Sequence, residues 1–326
     1  MKLGFKTKFF LLMMIPVVGV MYFAGSSVNV SYSIKSNAAL TIQMSNLSTY
    51  LGALVHELQK ERGMTAGFLG SSGIQFRDQL PGQRGLTDEK LSALLQYIKA
   101  NSGTFHGELM EHVDLALDRI KMLPDIREKV TRMSINGKEA IDGYTSVNTL
   151  ILEAVSHLSH GSLNADITRN LDAYSALLLS KERAGIERAV LTNVFAADSF
   201  TGREGMYHTL IELISMQNTY AKLFTDTADQ ELVTYYNHQT SQEPFRVTAT
   251  MREKALTGYT ASSLGVNAQT WFDAQTQKIN LLKDVESRVS THLVALADDI
   301  YNSANLRFMM EGAGALTLSV VTLVIF

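Results

Sequence analysis

Proline is almost absent from this chain, and its scarcity constrains the fold more than any other feature. Only four prolines occur in 326 residues, and the stretch 125–243 contains none. Because proline costs about 3 kcal/mol inside a helix, a sequence that avoids it can form long, uninterrupted helices. The chain is therefore a candidate for an all-α fold.

Apolar residues repeat with helical spacing along most of the chain. Between 40 and 58, leucine or methionine recurs every three or four residues, and the segments 109–130 and 279–300 show similar spacing. No segment has the sustained two-residue alternation of a half-buried strand. We therefore predict an all-α protein of two stacked helical bundles that share long first and last helices.

Glycine, serine, asparagine and proline mark the breaks between the predicted helices. Thr87, followed by Asp88 and Glu89, is suited to cap the start of one helix. We predict about seven or eight helices, of which the first runs to about residue 69 and the last begins near residue 268. The breaks fall at 70–86, 101–104, 136–137, 160–164, 198–205, 226–230 and 263–267.

Composition excludes several functional classes. The absence of cysteine rules out thiolate zinc sites, iron–sulfur clusters and cysteine nucleophiles. The net charge of −3 argues against a globally basic nucleic-acid-binding protein, so we expect no nucleic-acid partner. No Gly-rich phosphate loop follows a strand pattern, and no Ser-His-Asp order is recognisable. We therefore expect a protein that is not an enzyme and has no catalytic residues.

Two histidines near a predicted helix end raise the question of a metal site. His157 and His160 lie three residues apart, one turn after Glu153. Histidines at this spacing can share a metal ion, but no Glu-x-x-His pair recurs elsewhere, as a di-iron site in a bundle requires. We interpret these residues as polar groups at a helix terminus and predict neither a metal nor a cofactor.

An uncharged segment near the N terminus predicts a membrane span. Three lysines precede residues 9–25, which carry no charge and approach the lower length limit of about 17 to 25 residues for a transmembrane helix. A cleaved signal peptide shares these features, but the bulky Tyr22 and Phe23 stand where a cleavage site needs small residues. We predict a transmembrane helix over 9–26 after a cytoplasmic N terminus, 1–8.

The chain also finishes in an apolar segment. Residues 312–326 contain no charge and number 15, fewer than the roughly 20 that a membrane helix needs. We interpret them as the start of a second transmembrane helix in a truncated chain. The positive-inside rule then places residues 27–311 in the periplasm, outside the bacterial inner membrane. This region keeps 26 Lys and Arg and 32 Asp and Glu residues, a net charge of −6.

Three arginines stand beside small residues in two similar segments. Arg62 lies in ERGMTAGFLG, and Arg183 and Arg188 lie in KERAGIERAV. The segments 61–76 and 187–200 align as a weak repeat that pairs Arg62 with Arg188. A guanidinium offers a planar fork of donors that suits a planar oxyanion. The pattern equally allows Glu–Arg pairs on helix surfaces, which contribute only a few tenths of a kcal/mol.

These segments resemble the NIT domain, the nitrate- and nitrite-sensing module. HELQKERGMTAGFLGSSGIQFRDQLPGQRGLTDEKL, from His56, resembles its first signature, and KERAGIERAVLTNVFAADSF, from Lys181, resembles its second. Weaker matches in YHTLIELISMQNTYAKLF, MREKALTG and WFDAQTQKINLLKDVE extend the resemblance over roughly residues 50–290.

The resemblance implies an all-helical fold of two four-helix bundles and a nitrate or nitrite pocket formed by Arg62, Arg188 and, in second place, Arg183. Arg84 and Thr87 also match the family pattern, and we expect them to stabilise a turn. The module occurs in chemoreceptors, diguanylate cyclases, histidine kinases and a soluble antiterminator. The two predicted membrane spans make this chain similar to the transmembrane receptors.

We therefore predict the sensor region of a transmembrane bacterial receptor, a methyl-accepting chemotaxis protein. It would act as a homodimer, bind nitrate or nitrite in the periplasm, and transmit a helix displacement across the membrane to cytoplasmic signalling proteins. Three alternatives remain open: the sensor of a diguanylate cyclase or histidine kinase, a receptor for another small anion such as a carboxylate, and a membrane-tethered scaffold in which the arginines only pair with glutamates.

Overall fold

The computed structural model describes residues 4–105, 107–157 and 164–325. These ranges are mostly helical and contain no strand, so the predicted all-α class is confirmed. Lys2, His160 and Phe326, on which parts of the predictions rest, lie outside them. The helices in the described ranges are α1 (Phe5–Gly70), α2 (Leu80–Ala100), α3 (Glu108–Ile120), α4 (Leu123–Thr131), α5 (Gly137–Ser156), α6 (Ala165–Ala196), α7 (Glu204–Thr227), α8 (Gln230–Thr240), α9 (Glu243–Thr257) and α10 (Ala268–Ile325).

Three of the four prolines lie in the first turn of a helix, and they account for most of the differences from the predicted breaks. Pro124 lies in the first turn of α4, where the apolar stripe 109–130 divides into two helices, and Pro244 lies in the first turn of α9. Proline is tolerated in the first turn because the N–H that it lacks has no partner within the helix there. The described residues therefore form ten helices, not the seven or eight that were predicted.

The start of α2 also differs from the prediction. Pro81 lies in the first turn of a helix that begins at Leu80, so the predicted cap at Thr87 is wrong. Thr87 is buried inside α2, and its hydroxyl donates to the carbonyl of Gln83 at 3.1 Å. A threonine that precedes two acids resembles a helix cap in sequence, but here the preceding turn is already helical.

Contacts divide the chain into two compact units. The terminal unit comprises residues 1–43 and 294–326, and the large unit comprises residues 44–293. In the terminal unit the two ends of the chain pair, because Ser31 donates to Glu311 at 2.9 Å and Lys35 donates to Asn305 at 2.7 Å.

One helical stretch of the described residues, Val17–Gly70, is long and apolar enough to cross a membrane, and only 6% of its most apolar window is buried. It overlaps the span predicted at 9–26. The second span, predicted at 312–326, stays a prediction.

Helix α6 forms the centre of the large unit. Every residue from Ala184 to Phe195 is buried, and the side chain of Asn164 caps the start of the helix by accepting from the N–H groups of Asp166 and Ile167. The helix packs against α5 and α7, and its polar side chains reach α1, α9 and α10. The two arginine-bearing segments, on α1 and α6, therefore meet inside this unit.

Candidate functional site

The two glutamates that precede the paired arginines are held in the same way. Glu61 of α1 accepts from Nε and Nη2 of Arg127 at 2.7 and 2.9 Å. Glu187 of α6 accepts from Nε and Nη2 of Arg252 at 2.5 and 2.7 Å. Both carboxylates are fully buried. The same side-on arginine clamp at equivalent positions supports the internal repeat that aligns Arg62 with Arg188.

Glu187 remains ionised in spite of its burial. Removal from water would raise the pKa of its carboxyl group, but Lys278 and Arg252 act in the opposite sense and hold this pKa below its ordinary value. Gln217 also donates to the carboxylate at 2.9 Å. A buried carboxylate with three such neighbours is a stable negative charge beside Arg188.

Arg62 is fully buried and has a carboxylate partner. Its Nη1 donates to Glu182 at 2.6 Å and to the hydroxyl of Thr145 at 2.9 Å, and its Nη2 donates to the second oxygen of Glu182 at 3.2 Å. Gln59 donates to the same carboxylate at 2.6 Å. The positive charge of Arg62 is therefore balanced by a glutamate from α6, and only its Nε lacks a partner in the described part of the chain.

Arg188 is equally buried but has no carboxylate bound to it. Its Nη1 donates to the hydroxyl of Thr276 at 2.8 Å, and its guanidinium lies 4.9 Å from the ring centroid of Phe272. Within the described residues, Nε and Nη2 have no hydrogen-bond partner. Burial and the nearby charge of Arg62 lower the pKa of Arg188 to about 9. The two donors without partners lie on one edge of the guanidinium, the edge with which Arg127 and Arg252 bind carboxylates.

Small residues bring the two arginines close to each other's helices. A Cβ atom on Gly63 would lie 3.1 Å from Nε of Arg188, and one on Gly185 would lie 2.9 Å from Nη2 of Arg62. Gly63 also faces Phe272, whose ring atom would lie 2.8 Å from such a Cβ. The interpretation that small neighbours make room beside the guanidinium groups agrees with these distances.

Arg183 occupies a different place from the other two arginines. It is half-buried and lines a cavity of about 790 Å³ between α5, α6 and α7, together with Lys138 and Arg203. Thr145, which accepts from Arg62, also lines this cavity. The cavity therefore reaches the hydroxyl that holds Arg62, and Arg183 lies on its wall, not against the buried pair.

The buried charges of the two halves of the site do not balance equally. Around Arg62 the described carboxylates of Glu61 and Glu182 offset two arginines. Around Arg188 the carboxylate of Glu187 is bound by Arg252 and faces Lys278. The charges of Glu182 and Glu57 act on Arg188, but no carboxylate of the described residues is hydrogen-bonded to it, and a buried cation without a bound carboxylate favours occupation by an anion.

Sequence reasoning identified the three arginines but not their partners. The alternative reading, Glu–Arg pairs on helix surfaces, is wrong for Arg62 and Arg188, because both are fully buried. Each glutamate binds an arginine from another helix instead of the one beside it in sequence. Thr276 and Phe272 carried no signal in sequence, since a threonine and a phenylalanine on an amphipathic helix are common.

Arg84, expected to stabilise a turn, links two helices. Its Nη1 donates to the hydroxyl of Thr131 at 3.1 Å and its Nη2 donates to the carbonyl of Arg127 at 3.3 Å. It therefore supports α4, the helix that carries the Arg127 clamp on Glu61, and it has no contact with Arg188.

Comparison with known proteins gives three findings. The family model described as nitrate and nitrite sensing (NIT) matches residues 53–294. The "Nitrate regulatory protein" of Klebsiella oxytoca is 25% identical over 256 residues, which cover 78% of this chain and 64% of that relative; the chain thus spans less than two thirds of its length. A solved structure with the name "Structure of the NasR transcription antiterminator" has a TM-score of 0.74 at 22% identity, over 88% of this chain and 82% of that chain.

The chain belongs to the nitrate and nitrite sensing family, as its two arginine-bearing segments predicted. The family match covers nearly the whole large unit and both arginine-bearing segments. At 22% identity the solved structure supports the fold alone. Membership of this family identifies residues 53–294 as a nitrate and nitrite sensing domain.

Proposed function

We propose that this chain is the sensor region of a transmembrane receptor that binds nitrate or nitrite between Arg188 and Arg62. The proposal proceeds from membership of the nitrate and nitrite sensing family and from the contacts of the two arginines. A planar oxyanion would accept from Nε and Nη2 of Arg188 and from Nε of Arg62. Arg183 would act at the cavity wall, on the route by which the anion enters.

The observation that carries the proposal is the pair of buried Arg188 donors that have no partner among the described residues. A buried N–H without an acceptor costs about 1 to 3 kcal/mol, and more when the group is charged. An oxyanion would satisfy two donors at once and would also neutralise the guanidinium. Since the large unit lies in a region of net charge −6, attraction of anions depends on this local group and not on the overall charge.

Size and shape favour a small ligand at this place. Gly63 and Phe272 pack closely against the Arg188 guanidinium, so little room remains beside it. A guanidinium fork binds nitrate, nitrite and carboxylate by the same two parallel hydrogen bonds. The compact planar ions fit better than an anion with a long side chain.

Ligand binding would act on the contact between α1 and α6. Arg62 belongs to α1 and Arg188 to α6, so an anion that both bind draws these helices together. A ligand shifts such an equilibrium only by its difference in affinity for two arrangements. Both α1 and α10 contribute residues to the large unit and to the terminal unit, and a displacement of either helix is our proposed signal.

The membrane assignment rests on the ends of the chain. The apolar stretch of α1 and the lysines before it support a span with a cytoplasmic N terminus, and we propose 27–311 as a periplasmic region of an inner-membrane protein. A homodimer would give the signal a symmetry axis. Chemotaxis proteins are our proposed cytoplasmic partners. Separation of cell membranes from soluble protein, with protease applied from the periplasmic side, tests this topology.

Calorimetric titration of the purified 326-residue chain in detergent tests the ligand assignment. We expect nitrate or nitrite to bind saturably and to raise the melting temperature, while formate and acetate serve as carboxylate probes of similar size. Binding of a carboxylate without nitrate or nitrite would overturn the ligand identity. Absence of binding by all four at millimolar concentration would overturn the anion site.

An Arg188→Met variant tests the position of the site. We expect the neutral side chain of similar length to weaken nitrate binding by at least about 100-fold, in keeping with the loss of hydrogen bonds to a charged group. Arg119→Met is the matched control, because Arg119 is an exposed arginine on α3. Equal affinity of the Arg188→Met variant and the unmodified chain would remove Arg188 from the site.

A further inference from the structure

We propose that Glu108, His112 and His157 form a second site, which binds a divalent transition-metal ion where α3 begins and α5 ends. The three side chains offer ligand atoms that all lie within 4.8 Å of one another. In sequence His157 stands with His160 and Glu153 near a predicted helix end, where no metal was expected. The fold instead brings His157 to two residues of a different helix.

Helix geometry explains how the three side chains meet. Glu108 and His112 are four residues apart on α3 and therefore share a face of that helix. His157 is the C-cap residue of α5, and α3 packs against α5. The end of α5 thus delivers one imidazole to the first turn of α3.

The contacts among the three residues are those of an incomplete ligand set. The rings of His112 and His157 are stacked with centroids 3.8 Å apart and planes 17° apart, and Nδ1 of His157 lies 3.5 Å from Glu108. Nδ1 of His112 is buried and has no hydrogen-bond partner in the described part of the chain. Two imidazoles and a carboxylate thus bring three possible ligand atoms for a cation close together.

The ligand types select the class of ion. Imidazole nitrogen suits zinc, copper and nickel, whereas magnesium and calcium prefer sites made only of oxygen ligands. Zinc binds nitrogen at about 2.0 to 2.1 Å and is commonly held by three protein ligands and one water. To reach these distances the rings must turn from their stack and the exposed carboxylate of Glu108 must move inward, which its exposure allows.

The electrostatic setting favours a cation on two counts. The last carbonyl groups of α5 carry the negative end of its helix dipole, and they lie beside His157. The positive end of the α3 dipole is opposed by two acids in its first turn, Glu108 and Glu111. A bound ion would fasten α3 to α5, the helix on which Thr145 accepts from Arg62.

The test is titration of the purified 326-residue chain with zinc chloride, followed by calorimetry and by melting temperature. We expect one ion per chain and a higher melting temperature in its presence. Cobalt(II) as a second probe should give the visible absorption of a four-coordinate ion with nitrogen ligands. These readouts do not involve nitrate, so the result is independent of the proposed function.

Variants locate the ion. His112→Gln and His157→Gln should each weaken zinc binding by at least about tenfold, since even residues outside the ligand shell commonly contribute that much. His238→Gln is the matched control, because His238 is an exposed histidine on α8. Circular dichroism verifies that each variant is folded. Absence of saturable zinc binding, or an equal loss in the His238→Gln control, would overturn the proposal.

Discussion

Arg62 and Arg188 occupy equivalent positions in the repeat, yet only one of them binds a carboxylate within the described residues. Both follow a buried glutamate that a second arginine clamps side-on. Arg62 then donates to Glu182, whereas Arg188 donates to a threonine hydroxyl and keeps two donors without partners. The comparison teaches that one half of the repeat is neutralised by the protein itself, and that the other half retains a charge for a ligand.

The largest expected effect comes from the neutralised half. Arg62→Met leaves the buried carboxylate of Glu182 without its cation, and we expect the free energy of unfolding to fall by about 3 to 5 kcal/mol. Urea denaturation in buffer without nitrate or nitrite measures the change. A loss below about 1 kcal/mol would mean that the ion pair seen between Arg62 and Glu182 is not formed in solution.

A double variant separates the pair from the packing around it. Adding Glu182→Gln to Arg62→Met removes the uncompensated charge while keeping the side-chain volume, and we expect more than half of the lost stability to return. Glu182→Gln alone should also destabilise the chain, since Arg62 would then be, like Arg188, a buried cation without a bound carboxylate among the described residues. Additive losses in the double variant would contradict the coupling.

The next effect depends on pH and concerns the half with excess cations. Burial lowers the pKa of Lys278 from 10.5 to about 8, although Glu187 acts to raise it. Between these values the unfolded chain holds this proton and the folded chain does not, so stability rises with pH across that interval. The Lys278 contribution is about 3 kcal/mol. Lys278→Met should reduce the rise by this amount and not abolish it, because the lowered pKa values of Lys181, about 8, and Arg188, about 9, contribute rises of the same sign. Urea denaturation at both ends of the interval, applied to the variant and to the unmodified chain, measures the difference.

A smaller effect of the opposite sign is expected at Arg188 itself. In buffer without nitrate or nitrite, Arg188→Met removes a buried charge to which no carboxylate of the described residues is hydrogen-bonded, and we expect the free energy of unfolding to rise by about 1 to 2 kcal/mol. Arg62→Met and Arg188→Met would then change stability in opposite directions. Destabilisation by both substitutions would break the comparison.

The smallest effect is expected at Arg183. Because this residue lies on the cavity wall, Arg183→Ala should slow nitrate association by less than about tenfold, as loss of electrostatic steering does, and leave the dissociation rate unchanged. Stopped-flow measurement at two salt concentrations tests the steering. A changed dissociation rate would show that Arg183 contacts the bound anion.

Local patterns predicted the helices well, because periodicity reports which face of each helix is buried. Prolines lie in the first turns of α2, α4 and α9, but the predicted breaks did not include those before Pro124 and Pro244. Thr87, with two acids after it, resembled a helix cap in sequence. A threonine that caps a helix and a threonine inside a helix differ only in the conformation of the preceding turn. Such a difference is set by the chain before the residue and not by the residue itself.

The candidate site, like the fold, could be predicted only in part. The small residues beside Arg62 and Arg188 could be recognised in the sequence, since helices that approach closely have small residues where they meet. The partner of each arginine could not be predicted, because Glu182 stands next to Arg183 in sequence but binds Arg62 of another helix. Pairing across helices depends on rotation about their axes, and a single sequence contains no direct measure of it.

The position of α6 has a consequence for how the large unit unfolds. Glu182 of α6 balances the charge of Arg62 on α1, and Glu187 of α6 binds Arg252 of α9. Neither half of the repeat can therefore satisfy its buried charges while α6 is unfolded. Calorimetric melting of this unit should give one cooperative transition, with a calorimetric enthalpy equal to the van't Hoff enthalpy, so that a ligand bound at one arginine protects both halves from unfolding.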